Sequence, residues 1–246
     1  MLSIFNNNMN KKTRYTDLGK IRYDAALKEQ FDYQQKLIGR KLDIRDGKVA
    51  ANKSELVHNL FFCEHYPVYT LGKSGSFDNL LLNKEQLETK NIEFHKSSRG
   101  GDITYHGPGQ LVGYPVFDLD DFYHDIHKYV REIEEVIILS LKEYGIDSER
   151  IKGLTGVWIK GKGDAKDRKI CAIGIHISRW VTLHGFALNV NTDLDYFSGI
   201  IPCGIEDRNK DVTSIEQEKG ENVNFEDVKL IVKRNFKKVF DLNYVN

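Results

Sequence analysis

The chain has 246 residues, 40% hydrophobic and 29% charged, enough to bury a full core and too apolar for a disordered chain. Thirty-six Lys plus Arg balance thirty-six Asp plus Glu, so no general positive field draws in a phosphate backbone, and nucleic-acid binding is not expected. The longest aliphatic stretch, residues 136–141, falls far short of the ~20 residues that cross a bilayer, and the three cysteines form no C-x-x-C pair, which predicts a cytoplasmic protein with reduced thiols and no membrane contact.

Residues 1–12 hold four Asn and neither an apolar signal region nor a cleavage site, and are expected to form a poorly ordered extension. No repeat or linker divides the rest, so 13–246 reads as one domain. Leu27, Phe31 and Ile38 predict a helix over 24–38, with Gly39 as its stop. A strand-like run follows over 56–63. Asn83 with Gln86 three positions on predicts a capped short helix before a strand at 92–94. The clearest helix spans about 122–144, where Ile126, Tyr129, Val130, Ile133, Val136, Ile137, Leu141 and Tyr144 fall on one stripe before Gly145. Residues 156–190 read as a three-stranded meander turning near Arg179. A last helix starts after Asn224, with Val228, Ile231, Val232, Phe236, Val239 and Phe240 on its buried face. Strands grouped with flanking helices predict an α+β fold.

The densest anomaly is residues 99–110, where five of twelve positions are Gly or Pro. Glycines let backbone approach a ligand, and Arg99, Thr104 and His106 add donors. A pair of tight turns with a salt-bridged Arg would also account for it. The segment lacks the G-x-x-x-x-G-K-[ST] order and misses the dinucleotide fingerprint by one residue. A second anomaly is Cys203, set between Pro202 and Gly204, where a turn presents the thiol; Cys63 and Cys171 sit in apolar strand patterns. An unperturbed thiol is only a few per cent thiolate at pH 7, so a nucleophilic Cys203 needs a nearby base or cation. Lys169 is one choice, beside the small residues Ala172 and Gly174; His106, His176 and His184 are others. Strict alternation puts Lys169 on the face of Cys171, Ile173 and Ile175, so a shared pocket requires a bulge or strand start at 169–170. His124 and His127 have no third ligand nearby, and no metal site is expected.

Taken together these segments resemble the octanoyltransferases of lipoate biosynthesis. The resemblance runs through residues 63–72 (CEHYPVYTLG), 99–115, 156–158, 169–174, 178–180, 184–190 (HGFALNV), 202–205 (PCGI) and 212–214. It implies an α+β fold with a mixed, largely antiparallel sheet, shared with biotin and lipoate protein ligases. It implies that Cys203 carries the acyl group as a thioester and that Lys169 lowers its pKa and shuttles protons. The acyl pocket it implies comprises Arg99, Gly100, Gly101, Asp102, Ile103, Thr104, Tyr105 and His106, then Ala172, Ile173 and Gly174, and Gly185, Phe186 and Ala187.

The implied donor is octanoyl acyl carrier protein. The implied acceptors are lipoyl domains of 2-oxoacid dehydrogenase E2 subunits and the glycine cleavage H protein. No cofactor is needed, since exchange between thioesters is balanced and amide formation is downhill. Backbone N–H groups near Gly100, Gly101 or Gly204 are expected to hold the oxyanion. Lys73, Lys96, Lys160, Lys162, Lys166 and Arg168 are expected to meet acidic carriers. The rival readings are an ATP-dependent lipoate protein ligase, a lipoyl or octanoyl amidotransferase, and a non-catalytic carrier-binding protein.

Overall fold

The computed structural model describes residues 11–49, 57–201 and 210–245. Among these, eight strands form one sheet: β1 (Lys12–Ile21), β2 (His58–His65), β6 (Gln110–Val116), β7 (Val157–Ile159), β8 (Asp167–Ser178), β9 (Val181–Asn189), β10 (Lys210–Val212) and β11 (Asn243–Val245). Their order is β10-β8-β9-β6-β2-β1-β11, with β7 on β8. The β2-β6-β9-β8 centre is antiparallel, whereas β1 runs parallel to both β2 and β11. A smaller sheet has the order β4-β3-β5, from β3 (Val68–Leu71), β4 (Glu93–Lys96) and β5 (Ile103–His106). The fold is α+β, and Lys12, placed above in the extension, is already paired with Asn243.

Alternation along β2 assigns the layers. Leu60 and Phe62 point into a core with the helices α3 (Ile126–Glu143) and α5 (Phe225–Phe240), while Phe61 and Cys63 join α1 (Tyr23–Arg45) on the opposite face. Of the expected α3 stripe Tyr129, Ile133, Val136, Ile137 and Leu141 are buried, Val130 and Tyr144 partly so, and Ile126 is exposed at the first turn, because the helix starts there: Asp125 accepts the Lys128 N–H at 2.9 Å as N-cap. Asn224 caps α5, which follows the short α4 (Ile215–Lys219), through the N–H groups of Glu226 and Asp227. Asn83 and Gln86 make the expected capping box on α2 (Lys84–Thr89).

Helix α1 departs from expectation. It runs through Gly39 to Arg45, and Phe31 is half exposed. Its buried face is partly polar: Gln34 Nε2 donates to the Val181 carbonyl at 2.9 Å, and Gln30 Oε1 accepts the His184 N–H at 3.2 Å. Both amides bond backbone groups of β9, the second at His184, which takes a φ of +62°. The meander over β7, β8 and β9 is present, turning through Arg179 and Trp180, both at positive φ.

Candidate active site

A cavity of about 360 Å³ lies between the large sheet and the small one. Its floor includes Ala172 and Gly174 of β8, Gly185 and Ala187 of β9, and Val112 and Tyr114 of β6. Its roof is the glycine-rich loop, stitched down on two sides. Gly72, Lys73 and Ser74 N–H groups donate to the Asp102, Arg99 and Gly101 carbonyls, and the Gly100 N–H donates to the Ile175 carbonyl at 2.9 Å. That last bond commits the Gly100 N–H, so it is not available as the oxyanion donor expected of it. The approach needs Gly174: a Cβ there would stand 2.8 Å from the Gly100 carbonyl oxygen.

Lys169 reaches this cavity through the irregularity its position requires. Val157 pairs with Cys171 but Trp158 pairs with Lys169, so β8 carries Ile170 as an extra residue. Ile170 and Cys171 therefore both enter the helix-side core, and Lys169 lines the cavity with Ala172 and Gly174. Its ammonium lies 4.7 Å from the centre of the buried Trp158 ring. Burial pushes the Cys171 thiol, and that of Cys63, above the ordinary range, which fits inert core cysteines.

Of the expected pocket residues, Arg99, Gly100, Gly101, Asp102, Ile103, Thr104, His106, Ala172, Ile173, Gly174, Gly185, Phe186 and Ala187 line the cavity. Tyr105 does not. Its ring turns into the small-sheet core, stacked on Tyr196 at 4.8 Å and edge-on to Tyr69 and Phe197. Cys203 and Gly204 lie outside the described residues. The described residues on either side of that segment are near: Phe197 and Val212 line the cavity, and Val212 pairs with Lys169.

Three buried histidines near the cavity are held neutral at neutral pH. Burial is the main cause that depresses His106 and His184 to about 3 and His65 to about 4. His65 Nδ1 faces the Ile21 carbonyl at 2.9 Å and so carries the proton; its Nε2 accepts from the Tyr114 hydroxyl at 2.7 Å. Composition and spacing gave no sign that Tyr23 and Tyr114 would line this space, each in contact with His65. Glu134 was also missed. It is a fully buried carboxylate on α3 that accepts from Arg131 at 2.7 Å, Arg150 at 3.0 Å and the Gly156 N–H at 3.0 Å. It thus anchors the turn whose residues Gly153, Leu154 and Thr155 complete the wall near Lys169.

Three of the residues expected to meet acidic partners are already ion-paired: Lys160 with Asp167, Lys166 with Asp211, and Arg168 with both oxygens of Glu218. No described helix is long and apolar enough to cross a membrane.

Residues 31–237 match the family described as the Lipoyl protein ligase A/B catalytic domain. The octanoyltransferase of Flavobacterium psychrophilum is 52% identical over 96% of this chain and 100% of its own length. That of Cytophaga hutchinsonii is 51% identical over 97% of each chain. A bi-partite lipoate protein ligase of Thermoplasma acidophilum, analysed with its E2 lipoyl domain, superposes with a TM-score of 0.69 at 18% identity, covering 96% of this chain and 87% of that one. With most of its length inside that family and half of its residues shared with octanoyltransferases end to end, the chain belongs to the lipoyl protein ligase A/B family and is an acyltransferase of the octanoyltransferase group.

Proposed function

We propose that the chain moves an octanoyl group from acyl carrier protein to a lysine of a lipoyl domain, by way of a thioester on Cys203. The observation that carries this reading is Lys169, turned by a bulge into a cavity walled by small and apolar residues and bordered by both flanks of the Cys203 segment. In the first step the Cys203 thiolate attacks the donor thioester carbonyl, and the carrier thiol leaves with a proton supplied by Lys169. In the second, the acceptor amine attacks the Cys203 thioester, an amide forms, and Lys169 receives the proton lost by nitrogen. A cation beside a thiol favours the thiolate, which is the task given to Lys169. The Gly101 N–H is the described donor retained for the oxyanion, with Gly204 as its partner.

The depressed histidines support Lys169 over His106, His176 or His184 as the proton carrier, since His106 and His184 are held neutral and His176 is also lowered, chiefly by burial. Lipoyl-domain acceptors fit the relatives' activity, and both E2 lipoyl domains and the glycine cleavage H protein are assigned that place. Incubation with octanoyl acyl carrier protein without ATP, followed by intact mass and peptide mapping, tests the scheme. An octanoyl adduct on Cys203 that a lipoyl domain discharges is the expected result. No adduct until ATP and a free acid are added would assign a ligase instead.

A further inference from the structure

Behind the glycine-rich loop, five buried polar side chains form a series whose protons all run one way. The Thr213 carbonyl accepts from Asn189 Nδ2 at 2.9 Å, which leaves Asn189 Oδ1 to accept from Gln110 Nε2 at 2.9 Å. The same Gln110 nitrogen donates to the Tyr105 carbonyl at 3.1 Å. Carbonyls only accept, so two independent backbone groups set the Gln110 amide. Its Oε1 therefore faces His106 Nδ1 at 2.8 Å, and Nδ1 must carry the proton. His106 Nε2 keeps its lone pair, 3.4 Å from Thr70 Oγ1. Thr70 Oγ1 in turn accepts from Arg99 Nε at 3.2 Å and Nη2 at 3.0 Å. Arg99, which has no acceptor atom, ends the series; its Nη1 holds the Gly100 carbonyl at 3.0 Å and its Nη2 the Thr70 carbonyl at 2.5 Å.

The opposite proton order is disfavoured by counting. Were His106 protonated on Nε2, Thr70 Oγ1 would face three donors with two lone pairs, and Gln110 Oε1 would face a bare Nδ1. The series also reaches the other end of the cavity, because the Thr213 N–H donates to the Lys169 carbonyl at 3.0 Å. Thr70, His106, Gln110, Asn189 and Arg99 are all buried, so water does not substitute for a missing partner.

We propose that Gln110 is a positioning residue: it imposes the Nδ1–H tautomer on His106 and, through Thr70, seats Arg99 against the Thr70 carbonyl and the Gly100 carbonyl of the cavity roof. The effect on substrate rests on the acyl-cavity reading given above; the proton order does not. The test is the imidazole 15N spectrum of His106 in the full chain between pH 6 and 8, assigned by its loss in His106→Gln, together with steady-state octanoyl transfer. The wild-type chain should show a protonated Nδ1 and a bare Nε2. Gln110→Met removes the acceptor at similar volume and should move the proton to Nε2. It should also raise KM for the octanoyl donor about tenfold, with kcat within about threefold. Gln110→Glu, which keeps an acceptor there, should keep Nδ1 protonated. A wild-type Nε2–H tautomer, or an unchanged tautomer in Gln110→Met, overturns the proposal, and an unchanged KM in that variant overturns the seating of Arg99. Wild-type protein with the expected tautomer but no octanoyl transfer would sink the assigned reaction while supporting the proton order.

Discussion

Lys169 and Ala172 look into the same cavity although three positions part them along β8, a spacing that strict alternation would send to opposite faces. The inserted Ile170 makes the difference, and it lies buried against the α3 and α5 core. The chemistry proposed for Lys169 thus depends on an irregularity in the sheet and not on the regular part of it.

Lys169→Ala should fold normally, since it removes a partly exposed side chain that belongs to none of the hydrophobic clusters. Acylation of Cys203 at pH 7 should fall about 100-fold or more, a usual contribution of a positioned proton carrier. Raising the pH to about 9 should recover part of the loss, because an ordinary thiol ionises near 8.5. Stopped samples read by intact mass give both rates; equal rates at pH 7 in the two proteins would remove Lys169 from the mechanism.

Acid should destabilise the fold before most carboxylates titrate. His65, His106 and His184 have folded-state values of about 4, 3 and 3, below the unfolded value near 6.5. Their contribution is complete above pH 6.5 and is lost as the pH falls toward those folded values, because only the unfolded chain takes up the protons. Each contributes a slope of roughly 1.4 kcal/mol per pH unit. Urea midpoints at pH 7 and 5.5 should differ accordingly. His184→Asn, which tolerates the positive φ at that position, should flatten the slope by about a third.

Glu134→Ala leaves the Gly156 N–H without its acceptor and should cost about 2 kcal/mol, a typical penalty for an orphaned buried donor. Glu134→Gln keeps an acceptor and should cost less. Chemical denaturation ranks the three proteins, and an Ala variant as stable as wild type would deny Glu134 its anchoring role.

Gly174→Ala places a methyl group 2.8 Å from the Gly100 carbonyl oxygen and 3.2 Å from Arg99 Cδ. The roof must lift, at a cost of about 1–3 kcal/mol as for other overpacked sites. Weaker octanoyl-donor binding is the expected outcome, and an unchanged KM with unchanged melting would show that the loop does not rest on β8.

Much of this was legible in the sequence where burial is apolar and periodic. The stripes on α3 and α5, apart from exposed Ile126 at the start of α3, and the meander appear as read, because their hydrophobic residues decide their faces. Helix α1 was misread because Gln30 and Gln34 are buried for hydrogen bonds to β9, which hydropathy cannot register, while Phe31 faces outward. Tyr105 sits within the motif yet points away, since β5 serves two cores at once. The bulge at Ile170 was legible only as a condition on Lys169. Glu134, a single acid beside an apolar stripe, resembled a solvated residue; nothing in its spacing announced Arg150 and Gly156.

The pairing of β1 with β11 bears on how the protein is made. Lys12 waits for Asn243, about 230 residues later, which at ribosomal speeds is roughly 10–50 s of synthesis. During that interval the Lys12–Arg14 end of β1 lacks its outer partner, leaving unpaired backbone groups on which another strand could form.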